Sequence, residues 1–529
     1  MIVRSPYDDI DVPDMGLPEF LFGDLGDAAD RVAIIDGPSG ARTTFGELAG
    51  AVDRFAAGMG ERGLRQGDVI ALFAPNNPYY PVVFHGALAA GLAVSTVNAL
   101  YTPDELAYQL RDSGSKVLVT VSAFLDRARA ALREEGLAVT EVIVIDGARD
   151  EASTPLPETA LADILSTTAE RPSVALSGDD VAALPYSSGT TGRAKGVVLT
   201  HRNLLANLLQ IEKMGTHVSP DTTILAVLPF FHIYGMTVMM NQGLHARAAV
   251  VTMPKFDLAE FLRVISEHRV DRVYIAPPIA VALAKHPMVD QYDIDCVDIV
   301  FSGAAALDAE LGAAVGRRLN CTVLQGYGMT ELSPVSHCMP DDGTEMDLGS
   351  IGVALPSVEC KLVDPDTGQE GVERGELWVR GPNVMREYLN NPEATAATLD
   401  ADGFLHTGDV ATVTDEGVFY IVDRVKELIK YKGYQVPPAE LEALLLTHEG
   451  IADAAVIGVK DAEGEEIPKA FVVLQQGAEL SDDDVMAFVG ERIAPHKKVR
   501  VVEFIEQIPK SASGKILRKD LRAREQAPA

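Results

Sequence analysis

The stretch Tyr186-Ser187-Ser188-Gly189-Thr190-Thr191-Gly192-Arg193-Ala194-Lys195-Gly196 concentrates hydroxyls, glycines and a lysine. Glycines let backbone N–H groups come close to an anion, and hydroxyls and an ammonium add donors to phosphate oxygens. The pattern predicts phosphate binding. It is not a Walker A loop, because Gly192 stands three residues before Lys195 and Gly196 follows where that loop needs Ser or Thr. A Ser/Gly linker would share the composition. Its setting argues otherwise: the apolar Val181–Pro185 reads as a strand before it, and a helix opens near Thr200 after it.

The surrounding sequence supplies the elements that hold such a loop. Between Gly67 and Gly147 short apolar runs alternate with helical ones. Val69–Phe73 reads as a buried strand, Tyr80–Ala90 as an apolar helix and Ala93–Val97 as a second strand. Thr102-Pro103-Asp104-Glu105 is a capping box with proline at the first helical position. Lys116–Val121 and Val142–Asp146 read as strands around a helix over Ala123–Glu135. This alternation predicts parallel βαβ units in a doubly wound sheet, and a similar rhythm returns over Val250–Asn320. Ser357–Asp364, Gly375–Arg380 and Gly417–Asp423 predict a small antiparallel β subdomain. A compact α+β segment follows, with helices over Pro438–Leu446 and Ser481–Arg492 and strands over Ala454–Val459 and Ala470–Leu474. The expected fold is α/β: a large N-terminal domain over 1–422 and a small C-terminal domain over 423–529. Ser153–Ser173, enriched in Pro, Ser and Thr, is expected to be an exposed loop.

The chain has 529 residues, with 45 Lys+Arg against 77 Asp+Glu and a formal net charge of −32. Such a surface repels phosphate backbones, which argues against nucleic acid or an anionic membrane as partner. Residues 423–529 hold 16 of the basic and 19 of the acidic side chains, leaving 29 and 58 to the first 422. The acid therefore belongs to the large lobe. Cys296, Cys321, Cys338 and Cys360 stand 25, 17 and 22 residues apart, which is not a zinc spacing. Met1–Met15 lacks an apolar signal core, no apolar run approaches a membrane span, and Ala527-Pro528-Ala529 is not a peroxisomal tripeptide. The expected compartment is the cytoplasm.

The phosphate loop is one motif in a series. Leu228-Pro229-Phe230-Phe231-His232-Ile233-Tyr234-Gly235, Ser302-Gly303-Ala304-Ala305 and Gln325-Gly326-Tyr327-Gly328-Met329-Thr330-Glu331 come after it. His406-Thr407-Gly408-Asp409, the run from Asp423 to Gly433, and Pro509-Lys510-Ser511-Ala512-Ser513-Gly514-Lys515 complete the series. With these motifs in order, nearly the whole chain resembles the adenylate-forming superfamily. Within it the chain is most similar to the 4-coumarate–CoA ligases and the related acyl-CoA ligases and luciferases. The resemblance implies that a carboxylic acid and Mg-ATP give acyl-AMP and pyrophosphate, and that the thiol of coenzyme A then displaces AMP. One anion attacks another, so positive charge and Mg2+ are needed.

The resemblance also implies a role for each matched residue. Lys515, on a mobile small domain, would neutralise charge during adenylation, His232 would gate the acyl pocket, and Lys430 would serve the thioester step. Ser187, Ser188, Gly189, Thr190, Thr191, Gly192 and Lys195 would hold the phosphates of ATP. Ala304, Ala305, Gln325, Gly326, Tyr327, Gly328 and Thr330 would surround AMP, with Tyr327 stacked on adenine and Glu331 carrying Mg2+. Asp409 and Arg424 would hold the ribose, and Gln435 would lie near the adenylate. Lys426 would be the hinge, and Lys255, Lys432 and Gly433 would meet CoA. Taken singly, these residues have plainer readings: Thr330-Glu331 as a helix cap, Asp409 as a turn residue, Lys515 as a solvated tail lysine.

Tyr234, Met236, Pro334 and Val335 would line the acyl pocket, with small residues at 304, 305, 326 and 328 leaving a slot. The Pro334-Val335 pair resembles the phenylpropanoid-specific ligases, so 4-coumarate or a related hydroxycinnamate is the expected acid. Met236 and Leu332-Ser333 depart from the usual pattern, and a flexible methionine suits an alkyl chain as well. A medium-chain fatty acid is therefore the alternative, followed by a luciferase-like oxygenase and a non-enzymatic nucleotide binder. Ala306 in place of a proline and Phe404 in place of a tryptophan bear on packing. Monomer and homodimer stay equally open.

Overall fold

The computed structural model describes residues 2–147, 156–187, 194–305, 307–425, 427–431, 434–461, 466–511 and 514–526. Over these residues the chain builds two nine-stranded sheets, a five-stranded sheet and, last, a two- and a three-stranded sheet.

The first large sheet has a parallel centre: Ala93–Thr96, Val69–Phe73, Val117–Thr120, Glu141–Val144 and Glu158–Ala160. The strands expected over 69–73, 93–97, 116–121 and 142–146 form within two residues of those bounds, and the helix Tyr80–Ala89 is buried along its whole length. The capping box forms as read: Thr102 Oγ1 accepts the Glu105 N–H and Glu105 accepts the Thr102 N–H. The helix expected over 123–135 is shorter, Leu125–Ala131. The loop expected over 153–173 is not merely a loop. Its described part carries the strand Glu158–Ala160 and the helix Leu161–Leu165, because Leu161 and Ile164 are buried in the core.

The second large sheet sets Val32–Asp36, Ala249–Thr252, Thr223–Ala226, Arg272–Ile275, Ile299–Ser302 and Thr322–Gly328 side by side in parallel. Parallel strands present ligand sites at their carboxyl ends. Thr96 ends one strand of the first sheet, and Gly303 and Gly328 lie at the ends of two in the second; all three border one cleft.

The antiparallel subdomain orders Val3–Arg4, Glu359–Val363, Arg374–Arg380, Leu405–Val413 and Phe419–Arg424. Asp409 pairs with Arg424 and Val410 with Asp423, so this sheet extends two residues past the boundary expected at 423. After it come the hairpin Ile429–Tyr431 with Tyr434–Val436, the helix Pro438–Leu446, and a sheet of Ile451–Lys460, Glu466–Leu474 and Val501–Phe504. The apolar clusters of this last segment share no residue with those of the large sheets. Among the described residues no helix is long and apolar enough to cross a membrane.

Candidate active site

The two ends of the expected phosphate loop pair with each other. Tyr186 pairs with Gly196 and Ser187 with Lys195, antiparallel. Gly196-Val197-Val198-Leu199 is apolar and β-branched, so a strand, Lys195–Thr200, stands between the loop and the helix His201–Lys213. This corrects the direct loop-to-helix junction; Thr200 caps that helix, accepting the Asn203 N–H. Ser188, Gly189, Thr190, Thr191 and Gly192 lie outside the described residues. Ser187 Oγ is buried with no hydrogen-bond partner among the described residues, and Ser187 lines the cleft. Lys195 lines it too, its Nζ 4.3 Å from the centre of the Tyr388 ring.

The cleft measures about 520 Å³. On one side the Tyr327 hydroxyl donates to Asp409 Oδ2 at 2.6 Å, and Arg424 Nε lies 3.0 Å from Asp409 Oδ1. Burial and the charge of Asp409 push the Tyr327 hydroxyl well above its ordinary range, so it stays protonated and donates. Glu376 fixes the turn beside them by accepting the Gly408 N–H at 2.8 Å, at a glycine whose φ of +73° suits no other residue well.

Lys515 enters the same cleft from the last segment. A tight turn presents it: Ser511 N–H donates to the Lys515 carbonyl at 2.8 Å, and Lys515 N–H donates to Ser511 Oγ at 3.1 Å. Burial first, and then Arg424, pull Lys515 down to about 8. His232 is lowered to about 4 by burial and then by Lys515, so its imidazole is neutral. Its Nδ1 accepts the Tyr234 N–H at 3.3 Å, which places its proton on Nε2.

Glu331 is buried and accepts the Tyr388 hydroxyl on Oε1 at 2.7 Å. Among the described residues no three His, Cys, Asp or Glu cluster as a metal cage. One buried carboxylate sharing a cleft with Lys195 does fit Mg2+, which keeps waters and substrate oxygens in its shell and takes few protein ligands. Deeper in the cleft, Tyr234, Phe301, Pro334 and Val335 meet Gly303, Gly326 and Gly328. A Cβ on Gly303 would lie 2.9 Å from the Tyr234 ring, and one on Gly326 2.9 Å from the Phe301 ring. The slot exists because these positions lack side chains.

The family model of the AMP-binding enzyme matches residues 25–389. The chain belongs to the AMP-binding enzyme family. A model of the AMP-binding enzyme C-terminal domain matches residues 440–515. The chain is 41% identical to 4-coumarate-CoA ligase 1 of Narcissus pseudonarcissus, covering 99% of this chain and 96% of that protein. It is 41% identical to 4-coumarate–CoA ligase 5 of Oryza sativa subsp. japonica, covering 99% and 97%. Among solved structures it resembles the anthranilate CoA ligase AuaEII in complex with anthranoyl-AMP, with a TM-score of 0.88 and 25% identity over 97% of this chain and 98% of that one. ATP-bound MatB from Rhodopseudomonas palustris gives 0.87 and 29% over 97% and 99%.

In this AMP-binding enzyme the cleft gathers Ser187, Lys195, His232, Tyr234, Ala304, Gly326, Tyr327, Gly328, Thr330, Glu331, Pro334, Val335, Arg424 and Lys515 of the residues read from sequence, with Asp409 directly behind. Others fall elsewhere. Met236 is fully buried in the core at the start of the π-helical stretch Gly235–Asn241, so it does not line the acyl slot and the argument for an alkyl chain falls with it. Gln325 is buried and spends its carboxamide on the backbone N–H and carbonyl of Leu307. Ala305 and Lys255 are exposed and do not border the cleft. Lys430 and Gln435 pair across the 429–436 hairpin, and only their backbone is described. Lys426, Lys432 and Gly433 lie outside the described residues, as does Ala306. Phe404 is buried beneath Lys361 and Arg380, a packing role. Phe301, Glu376 and Tyr388 also border the cleft, and no sequence reading singled them out. Phe301 precedes the Ser302-Gly303 motif directly, which was the available signal; Tyr388 and Glu376 carry none.

Proposed function

We propose that this AMP-forming acid–CoA ligase activates a hydroxycinnamate such as 4-coumarate as acyl-AMP and transfers it to coenzyme A. The supporting observation is the convergence of Lys515 with Glu331, His232 and the Tyr327–Asp409–Arg424 cluster around one cleft, in a chain 41% identical over 99% of its length to proteins named 4-coumarate–CoA ligases. Adenine lies against Tyr327, and the ribose hydroxyls bond to Asp409, whose two oxygens Tyr327 and Arg424 hold in place. The phosphates lie along the 187–195 loop, with Lys195 beside them. Glu331, with Thr330 next to it, would hold Mg2+, which when bound supplies positive charge to the phosphate oxygens.

The acid lies in the slot between Tyr234 and the glycines, flat enough for an aromatic ring. His232 donates its Nε2–H to the carboxylate and turns one oxygen toward the α-phosphorus. That oxygen forms the new P–O bond as the bond to the β-phosphate breaks, and pyrophosphate leaves. The Lys515 ammonium offsets the charge that builds on the α-phosphoryl oxygens. For the second step the small domain, 425–529, swings at Lys426 and withdraws Lys515. Lys430 and Gln435 take its place near the adenylate, and Lys255, Lys432 and Gly433 contact CoA. The thiolate sulfur bonds to the acyl carbon, the C–O bond to AMP breaks, and the thiol proton passes to solvent. All four cysteines are free, which suits a reducing cytoplasm.

Labelled pyrophosphate should exchange into ATP when 4-coumarate is present and CoA absent. Lys515→Ala should lower that exchange by about a hundredfold or more, while supplied coumaroyl-AMP still reacts with CoA. No exchange with 4-coumarate or any other hydroxycinnamate would overturn the proposed acid, and none with cinnamic, benzoic and straight-chain acids as well would overturn adenylation itself.

A further inference from the structure

Two charged groups that border the cleft, Lys195 and Glu331, come from different sheets. Lys195 stands on an antiparallel strand of the first, and Glu331 lies in the 3-10 turn Thr330–Leu332 between two strands of the second, Thr322–Gly328 and Val335–Cys338. One short segment, 385–389, joins them. Met385 N–H donates to the Glu331 carbonyl at 2.8 Å, while Arg386 N–H donates to Val198 at 3.0 Å and Leu389 N–H to Gly196 at 2.8 Å. Its strand Glu387–Tyr388 pairs with Val197 and Val198, directly beside Lys195.

Tyr388 sits at the middle of this strap, 5% exposed. Its hydroxyl donates to Glu331 Oε1 at 2.7 Å, and its ring faces Lys195 Nζ at 4.3 Å. Its own N–H is fixed by Thr395 Oγ1 at 3.0 Å. We infer that Tyr388 is a positioning residue for the adenylation step, setting Glu331 and Lys195 apart so that both face the nucleotide. The inference rests on the function proposed above. Opposite charges in a shared cleft otherwise pair with each other. The ring occupies the ammonium by a cation–π contact, and the hydroxyl occupies one carboxylate oxygen. Lys195 and Glu331 form no ion pair with each other, and Oε2 is left to a metal.

Tyr388→Phe keeps the ring and removes the donor. With α,β-methylene-ATP bound, Mn2+ titrated into the enzyme and followed by electron paramagnetic resonance should bind the variant roughly tenfold more weakly. The Mg2+ midpoint of acid-dependent pyrophosphate exchange should rise in parallel. In a Glu331→Gln background the same substitution should change neither midpoint, because its route to the metal has gone. An unchanged Mn2+ midpoint in Tyr388→Phe, or an equal loss in the Glu331→Gln background, would overturn the assignment and leave the proposed function standing. Failure of the unsubstituted enzyme to exchange pyrophosphate at all would instead defeat the proposed function.

Discussion

Lys515 titrates near 8 because burial and Arg424 outweigh the attraction of Asp409 and Glu331. A polyphosphate arriving beside it adds negative charge and pushes the value back up. ATP binding in a buffer near pH 8.5 should therefore take up protons, read by calorimetry in two buffers of different ionisation enthalpy. Lys515→Ala should take up fewer. The sign for stability follows from the same group. Its folded value lies below the ordinary 10.5, so the unfolded chain holds more protons between about 8 and 10.5. The cost of burying the charge is present in full below 8 and fades as pH rises through that window. Gly326 makes a steric prediction. A Cβ there meets Phe301 at 2.9 Å and the His337 carbonyl at 3.3 Å. Gly326→Ala should raise KM for ring-bearing acids by about tenfold and leave KM for ATP nearly unchanged, in steady-state kinetics.

Among the elements, the strand Phe419–Arg424 is where the subdomain sheet gives way to the last segment. Its Asp423 accepts the Arg424 N–H at 2.6 Å and the Ala439 N–H of the helix Pro438–Leu446 at 3.3 Å. Burial raises it to about 7, with Arg518 opposing and Glu442 reinforcing the shift. The folded chain thus holds the extra proton between the ordinary 3.8 and about 7, so this group's contribution to stability falls as pH rises through that window. Asp423→Asn should flatten the slope, measured as urea midpoints near pH 5 and pH 7.5. Elements whose signals are local were legible in the sequence. The capping box at Thr102 and the helix over 438–446 needed only neighbours a few residues away. The strand Lys195–Thr200 was not legible, because glycine and hydroxyl chemistry on one side and a helix cap on the other masked a short β-branched run between them. Tyr388 was out of reach for a different reason: its meaning comes from Glu331, 57 positions earlier, which only the fold brings near. Gln325 shows the converse. Its place in a motif suggested a nucleotide contact, while the tertiary structure commits its amide to Leu307.

At the scale of the whole molecule, a net charge of −32 surrounds a cleft that must admit anions. The cations proposed to receive them, Lys195, Arg424 and Lys515, border the cleft itself. Distant acids act on approach and are screened by salt, while contacts inside the cleft are screened far less. Raising ionic strength from about 10 mM to about 100 mM should therefore increase kcat/KM for ATP, in contrast to enzymes that steer anions with a basic surface. A fall over that range would show that the acid lies too far from the entrance to matter.

The sheet that carries Asp409 and Arg424 also has an order of assembly written into it. Its edge strand, Val3–Arg4, pairs with Glu359–Val363, and nearby Ile10 N–H donates to Ser357 Oγ. During synthesis those early residues leave the ribosome long before their partners exist. The two wound sheets have by then acquired most of their strands, yet the first residues are still waiting. Closure of this third sheet is accordingly a late event, and the nascent chain acquires the wall formed by Asp409 and Arg424 after both wound sheets, with only the segment that carries Lys515 still to come.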